Sequence, residues 1–593
     1  MGKVFRLFAM SCASAVLMLT AVSCDEIAGY QRGTEAVSWS DNPNVTASSA
    51  GLTFDFSFTA RDDWSVESDS PSMLTVTSAA SGLRGRAVIR VNVSKNSSEE
   101  ERRGSIIITV KGYDPTTLVT VTQRDTANAD YEVNVQKTDT YLSKMYLWND
   151  EYNAMTRDFD QPYDEFVENT LLAMKTNGED GSYDSKGERT MLYSYIWRTP
   201  HSGRTRSVIE KSSMPTFGVL SFVVVSLVDE MGQSSGKYLL CLTGVYPDSP
   251  AARMGLGRGS CILSVDGRSI TADNFNDIFY RLVAAPDAGD VMTVVFSPDF
   301  NDYYDGVTRT VKITCESMPS NPVLYSDIFE RSGSKIGYLV YGDFEASFDD
   351  ELLAEIRKFQ AAGIDELVLD LRVNGGGHVI SSQMLASVIA GAAGDGKVCF
   401  KQEYNADRME KAGYSFPDNM DVTEFGPDAM PKGQMSEYSR ADYLNLQRIY
   451  VLVSGSTASA SELTFMALRG IDFPVTLIGE RTEGKNVGME GTLFTHGGYD
   501  YEFYPITFRT YNAKNQTADP TGTRPDYEIN EWQGGGNALW PWGSEFDPLL
   551  TKAVSLITGS RAEPTRAATA GGGAEVVRKM RRPGRGTIDT REK

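Results

Sequence analysis

Two short apolar runs, Leu367–Leu371 and Ile449–Val453, constrain this chain more than any other feature. Neither alternates apolar and polar residues as a half-exposed strand does. Continuous runs of this length are expected of strands buried on both faces, the habit of parallel sheets covered by helices. Ile336-Gly337-Tyr338-Leu339-Val340 reads as a further strand, and Phe348–Gln360 as a helix with Leu352, Ile356 and Phe359 on one face. The pattern predicts an α/β core over residues 325–559.

A chain of 593 residues is too long for one hydrophobic core, and the period changes upstream. Over 36–125 it is two. Ala87, Ile89, Val91 and Val93 share one strand face, Ile106, Ile108 and Val110 a second, and Val119 and Val121 a third. Short alternating strands separated by Asn, Ser and Gly clusters predict a β-sandwich. Over 126–213 the spacing becomes helical, with Tyr141, Met145, Trp148 and Tyr152 on one face of a small helical subdomain. Residues 214–318 read as strands around one helix at Thr271–Val283. The stretch 560–593 is Gly-, Ala- and Arg-rich without apolar periodicity and reads as a disordered basic tail.

Charge and scarce ligands exclude several function classes. A net charge of −22 argues against a nucleic-acid partner, because phosphate binding needs concentrated Lys and Arg. Only three His occur, at 201, 378 and 496, and none pairs at metal-ligand spacing, so no metal and no cofactor is expected. Cys241, Cys261, Cys315 and Cys399 are scattered through apolar surroundings and read as small core residues. At the N-terminus, Lys3 and Arg6 precede an apolar run, Leu7–Val22, that reads as a signal peptide over 1–23. The run ends in Ala21-Val22-Ser23-Cys24, which resembles the bacterial lipobox with Ala in place of the commonest Leu. That resemblance implies a lipid on Cys24, a linker over 24–35, and an exported protein tethered on the periplasmic or cell-surface face of an outer membrane.

Chemistry concentrates in three loops of the α/β region. After the strand Ile449–Val453 come Ser454-Gly455-Ser456-Thr457-Ala458-Ser459-Ala460-Ser461-Glu462 and then a helix. A serine there sits at a helix N-terminus, where unpaired N–H groups can stabilise an oxyanion. The same Ser459-x-x-Glu462 spacing also fits a capping box, and this segment alone leaves both readings open. After Val475–Ile478 the chain reads Gly479-Glu480-Arg481-Thr482-Glu483-Gly484-Lys485. That string fits a phosphate-binding P-loop, but Asn486 stands where Ser or Thr would hold magnesium, and poor helix formers follow. The third loop is Asp370-Leu371-Arg372-Val373-Asn374-Gly375-Gly376-Gly377.

In order, these loops resemble those of the S41 family of C-terminal-processing peptidases. The resemblance implies a ClpP- and crotonase-like α/β fold. It makes Ser459 the nucleophile and Lys485 the base, with the N–H groups of Ala460 and of Gly375 or Gly376 as the oxyanion hole. A serine–lysine pair needs no histidine, but the lysine must be neutral, which requires a pKa well below the usual value of about 10.4. Many relatives carry Gln four residues after the lysine; here that position is Met489, and Glu462 is the candidate to orient Lys485. His378, after the glycine loop, is a rival base.

Upstream, Ser249-Pro250-Ala251-Ala252, Gly255-Leu256 and Ile262-Leu263-Ser264-Val265-Asp266-Gly267 resemble the PDZ domain of such proteases. That implies a carboxylate-binding loop at Phe217, Gly218 and Val219 and protein or peptide ligands. Trp39, Trp64-Ser65-Val66, the Gly82–Gly85 turn and Val119–Gln123 resemble a BACON domain, an immunoglobulin-like module read here as a spacer. The chain is thus expected to be a multidomain serine endopeptidase acting on extended or unfolded protein segments. The alternative is a catalytically inactive peptide- or glycan-binding surface lipoprotein that retains the protease fold.

Overall fold

The computed structural model describes residues 36–581 apart from 40–43, 48–50, 97, 99, 124–128, 184–186, 188, 202–212, 229–233, 273, 285, 287, 431–437, 532–538 and 561–572. The signal segment and Cys24 lie outside the described residues. The chain divides into two compact units, one of residues 1–204 with 491–506, the other of 205–490 with 507–593.

In the first unit, residues 37–123 form two sheets around one core. One sheet orders the strands Val37–Ser38, Leu52–Ala60, Gly85–Val93 and Leu74–Val76; the other orders Asn44–Ala47, Thr116–Gln123, Arg102–Val110, Trp64–Ser68 and Ser81–Gly82. Alternation dictates which residues enter: Phe54, Phe56 and Phe58 from one strand meet Ile106, Ile108 and Val110 from another, all buried. The expected sandwich is therefore present.

The helical region departs from its expected single face. Its helical residues run unbroken from Ala129 to Met145, with π-helix at Val133–Asp139, and resume at Asn149–Ala154 and Tyr163–Leu172. The helix breaks over residues 146–148 because the Leu147 N–H donates to the Ile506 carbonyl (2.9 Å) rather than to its own ladder. The same unit holds an antiparallel sheet of Tyr195–Pro200, Tyr499–Tyr504 and Thr492–His496. Residues 491–506, expected in the α/β core, thus cluster with the first unit.

In the second unit an antiparallel sheet orders Arg309–Thr314, Val291–Ser297, Cys261–Val265, Ser234–Val245, Val219–Val228 and, at the edge, Gly573–Arg581. Those nine residues differ from the disordered state expected of them as part of the tail 560–593. Local composition gave no period, and the strand is held instead by main-chain pairing to a partner some 350 residues away in sequence. Cys241 and Cys261 are cross-strand neighbours with sulfurs 3.0 Å apart, closer than their separation in sequence suggested.

The α/β core is a six-stranded sheet in the order Val323–Arg331, Ser334–Tyr341, Glu366–Asp370, Ile449–Val453, Val475–Gly479 and Tyr527–Glu528. All neighbours after the first pair are parallel. Helices Asp349–Ala362, Val379–Ala390 and Ala460–Gly470 cover it. Every residue of Ile449–Val453 is buried, as a strand covered on both faces requires. The loops leaving the carboxyl ends of three adjacent parallel strands are the three chemically distinctive segments, which is where open α/β sheets place their sites.

Candidate active site

The loop after Glu366–Asp370 and the loop after Ile449–Val453 are sewn together by short polar side chains. The Thr457 hydroxyl donates to the Leu371 carbonyl (2.8 Å), the Ser454 hydroxyl to Arg372 O (2.6 Å) and the Ser461 hydroxyl to Asn374 O (3.1 Å). Asn374 is fully buried; its amide donates to Tyr341 O (2.9 Å) and its Oδ1 accepts from Gly376 N–H (2.9 Å). Gly376, at φ 104°, lies against the serine so closely that a Cβ there would stand 2.6 Å from the Ser459 Cβ. No other residue fits that position.

Ser459 is 4% exposed and holds φ 64°, ψ −120°, a backbone conformation that non-glycine residues rarely adopt. Its hydroxyl has no hydrogen-bond partner among the described residues. The capping reading therefore holds in one half only: the Ser459 N–H donates to Glu462 (3.1 Å), while the Ser459 side chain caps nothing. A strained backbone, a buried unpartnered hydroxyl and a helix N-terminus suit a nucleophile better than a cap.

Glu462 joins the serine loop to the lysine loop. Its carboxylate accepts from the N–H groups of Ser459 (3.1 Å), Gly484 (3.2 Å) and Lys485 (2.9 Å) and from the Thr482 hydroxyl (2.6 Å). Burial pushes its carboxyl up to about 7, against these hydrogen bonds, which favour the ionised form. Lys485 is 7% exposed and lines one small pocket together with Ser459, Asn486, Asn512, Gln516 and Thr517.

The expected oxyanion donors separate. The N–H groups of Ala460 and Gly375 donate to nothing among the described residues, whereas that of Gly376 is committed to Asn374. Gly375 and Ala460 are therefore the available pair, and Gly376 provides close approach instead. His378 turns elsewhere: its Nδ1 lies 3.1 Å from Phe344 O and 3.3 Å from Ala346 N, and it does not line the pocket of Ser459. Met489 is buried in the strand Val487–Met489 and leaves no polar group at that position.

The glycine loop is anchored from below by Arg372. Its guanidinium bonds Asp370 (2.6 Å), Asp547 (2.7 Å) and Glu531 (2.8 Å). Burial pulls Arg372 down, but the three carboxylates outweigh this and hold it well above its ordinary value. Glu531 also accepts from Arg258 (2.5 Å), so one carboxylate ties the 214–318 region to the glycine loop. At Phe217–Val219, buried throughout, the Gly218 N–H donates to the Thr216 hydroxyl (2.9 Å). The sequence reading gave no role to Asn374, Thr482, Asn512 or Gln516. Only Asn374 carried a signal, as the one uncharged polar side chain inside the glycine loop.

Residues 335–529 match the model of Peptidase family S41, residues 242–295 that of a PDZ domain, and residues 63–124 that of BACON, described as a putative binding domain. The chain is similar to a carboxyl-terminal-processing protease of Picosynechococcus sp., 27% identical over 321 residues, which are 53% of this chain and 66% of that one. It is also similar to the chloroplastic carboxyl-terminal-processing peptidase 1 of Arabidopsis thaliana, 24% identical over 44% of this chain and 46% of the relative. The chain thus spans just under two thirds of the first relative and less than half of the second. A crystal structure of a putative S41 protease from Bacteroides fragilis shares the fold, with a TM-score of 0.51 and 23% identity over 71% of this chain and 96% of that one.

Proposed function

We propose that this protein is a serine endopeptidase of the carboxyl-terminal-processing type, in which Ser459 is the nucleophile and Lys485 its base. The observation that carries the reading is the Glu462 carboxylate, which binds the main chain of both residues at once. Glu462 is then a positioning residue. Neutral Lys485 takes the Ser459 proton as the hydroxyl oxygen attacks the peptide carbonyl carbon. The carbonyl oxygen becomes an oxyanion held by the N–H groups of Ala460 and Gly375. Collapse breaks the C–N bond, and the lysine ammonium returns its proton to the leaving amine. Water then hydrolyses the acyl-enzyme by the same proton route.

Extended or unfolded protein segments are the proposed substrates, captured at the PDZ sheet edge. Export and a lipid anchor at Cys24 complete the proposal and rest on the sequence junction Ala21–Cys24. The second reading, a non-catalytic peptide- or glycan-binding lipoprotein, draws on Met489. One experiment separates the two. Ser459→Ala should abolish hydrolysis of an unfolded protein substrate while the melting temperature stays within a degree or two. Absence of turnover in the wild type would favour the binding protein, and turnover in Ser459→Ala would remove the nucleophile assignment.

A further inference from the structure

Strand Val219–Val228 is the kind of sheet edge that proteins rarely leave open. It is ten residues long and holds no charged residue and no proline. Residues 219–227 are all buried. An edge without such guards presents a row of N–H and C=O groups to any passing strand. Here the row is filled from within. Residues Gly573–Arg581 pair with it antiparallel over eight registered positions, from Ser221 opposite Arg581 to Val228 opposite Gly573. The register shifts once, where Val224 faces Arg578 and Val225 faces Val576, so that Val577 forms a bulge.

The direction matters. The segment runs with its Arg581 end toward the loop Phe217–Val219, the orientation in which a strand-adding ligand presents its carboxyl end to that loop. Strand addition draws its affinity from main-chain hydrogen bonds, so a segment without apolar periodicity can still occupy the edge. The segment is joined to the helix Pro548–Thr558 through residues 559–572 and is therefore always close at hand. An intrachain connection of this length sets an effective concentration on the order of 1 mM.

We propose that residues 573–581 are a built-in occupant of the PDZ edge, which any peptide ligand must displace. With a segment affinity of about 0.1 mM, a 1 mM effective concentration weakens apparent ligand binding about tenfold. The edge is thereby protected from self-association and filtered for ligands that outcompete the segment. This proposal rests on the PDZ domain and not on the peptidase chemistry.

The test uses the full chain carrying Ser459→Ala, so that neither readout depends on hydrolysis. In that background Val576→Pro with Arg578→Pro removes two main-chain donors from the segment and changes nothing in the PDZ domain. A fluorescent synthetic peptide with the sequence of 573–581 is titrated into both proteins by anisotropy, and amide exchange of residues 219–228 is followed by mass spectrometry. The expected result is about tenfold tighter peptide binding and faster exchange across 219–228 in the proline variant. Equal affinity and equal exchange in the two proteins would overturn the proposal, as would binding of the peptide to neither.

Discussion

The sandwich and the α/β core each contain an arginine–aspartate pair of nearly the same length, and the two pairs do different things. Arg90 and Asp55 meet at 2.7 Å across neighbouring strands of the sandwich, with side chains 53% and 47% exposed. Arg372 and Asp370 meet at 2.6 Å beneath the glycine loop, 1% and 0% exposed. The hydrogen bond to Asp55 raises Arg90 above its ordinary value, yet water screens that pair and side-chain entropy opposes it. The buried pair sits among Asp547, Glu531 and the Tyr338 hydroxyl, where each lost partner leaves a charge that water cannot reach. Distance therefore says little about weight. The core places this buried ionic cluster at the carboxyl end of a strand, where a reacting loop is fixed, whereas the sandwich buries only Asn96 and Gln123 among its described polar residues.

The largest expected effect follows from breaking the buried member of this comparison. Arg372→Met leaves Asp370, Asp547 and Glu531 uncompensated and should cost about 3–5 kcal/mol, read as a lower midpoint in denaturant titration and as lost activity. A fully active, fully stable Arg372→Met would mean that the network does not hold the loop. Next in size is Glu462. Its folded pKa of about 7 lies above the unfolded value of 4.5. The folded state therefore binds the extra proton, and this stabilisation is complete below about pH 4.5 and lost as pH rises through 7. The difference is about 3 kcal/mol. Glu462→Gln, which cannot titrate, should remove that slope of stability between pH 4.5 and 7; an unchanged slope would assign it to other groups. The smallest effect belongs to the exposed pair: Arg90→Ala should change stability by less than about 1 kcal/mol and leave peptide hydrolysis unaltered. A larger loss would show that the exposed pair is not screened as its accessibility implies.

Much of the fold was legible because it depends on local period. Ile106, Ile108 and Val110 alternate inward, and Ile449–Val453 is apolar throughout, so sandwich and parallel core declare themselves within a few residues. The three loops were legible for a related reason, since each directly follows a buried strand. What escaped was set by contacts distant in sequence. The strand Gly573–Arg581 exists through pairing with Val219–Val228, and Tyr499–Tyr504 through pairing with Tyr195–Pro200. The choice between Gly375 and Gly376 as donor depends on where the Asn374 amide points, which spacing cannot give. Glu462 was legible as a residue of interest, but its grip on the main chain of Gly484 and Lys485 belongs to the assembled loops.

The central claim is that Ser459 is activated by Lys485, and its most direct test is covalent labelling. A fluorophosphonate, which phosphonylates activated serines with loss of fluoride, is applied to the wild type, Ser459→Ala, Lys485→Arg and His378→Ala, and the adduct is mapped by peptide mass spectrometry. Guanidinium stays protonated in a protein, so Lys485→Arg keeps the charge and loses the base. The account predicts an adduct on Ser459 in the wild type and in His378→Ala, and none in Ser459→Ala or Lys485→Arg. Labelling of Ser459 that survives Lys485→Arg, or disappears in His378→Ala, would contradict it.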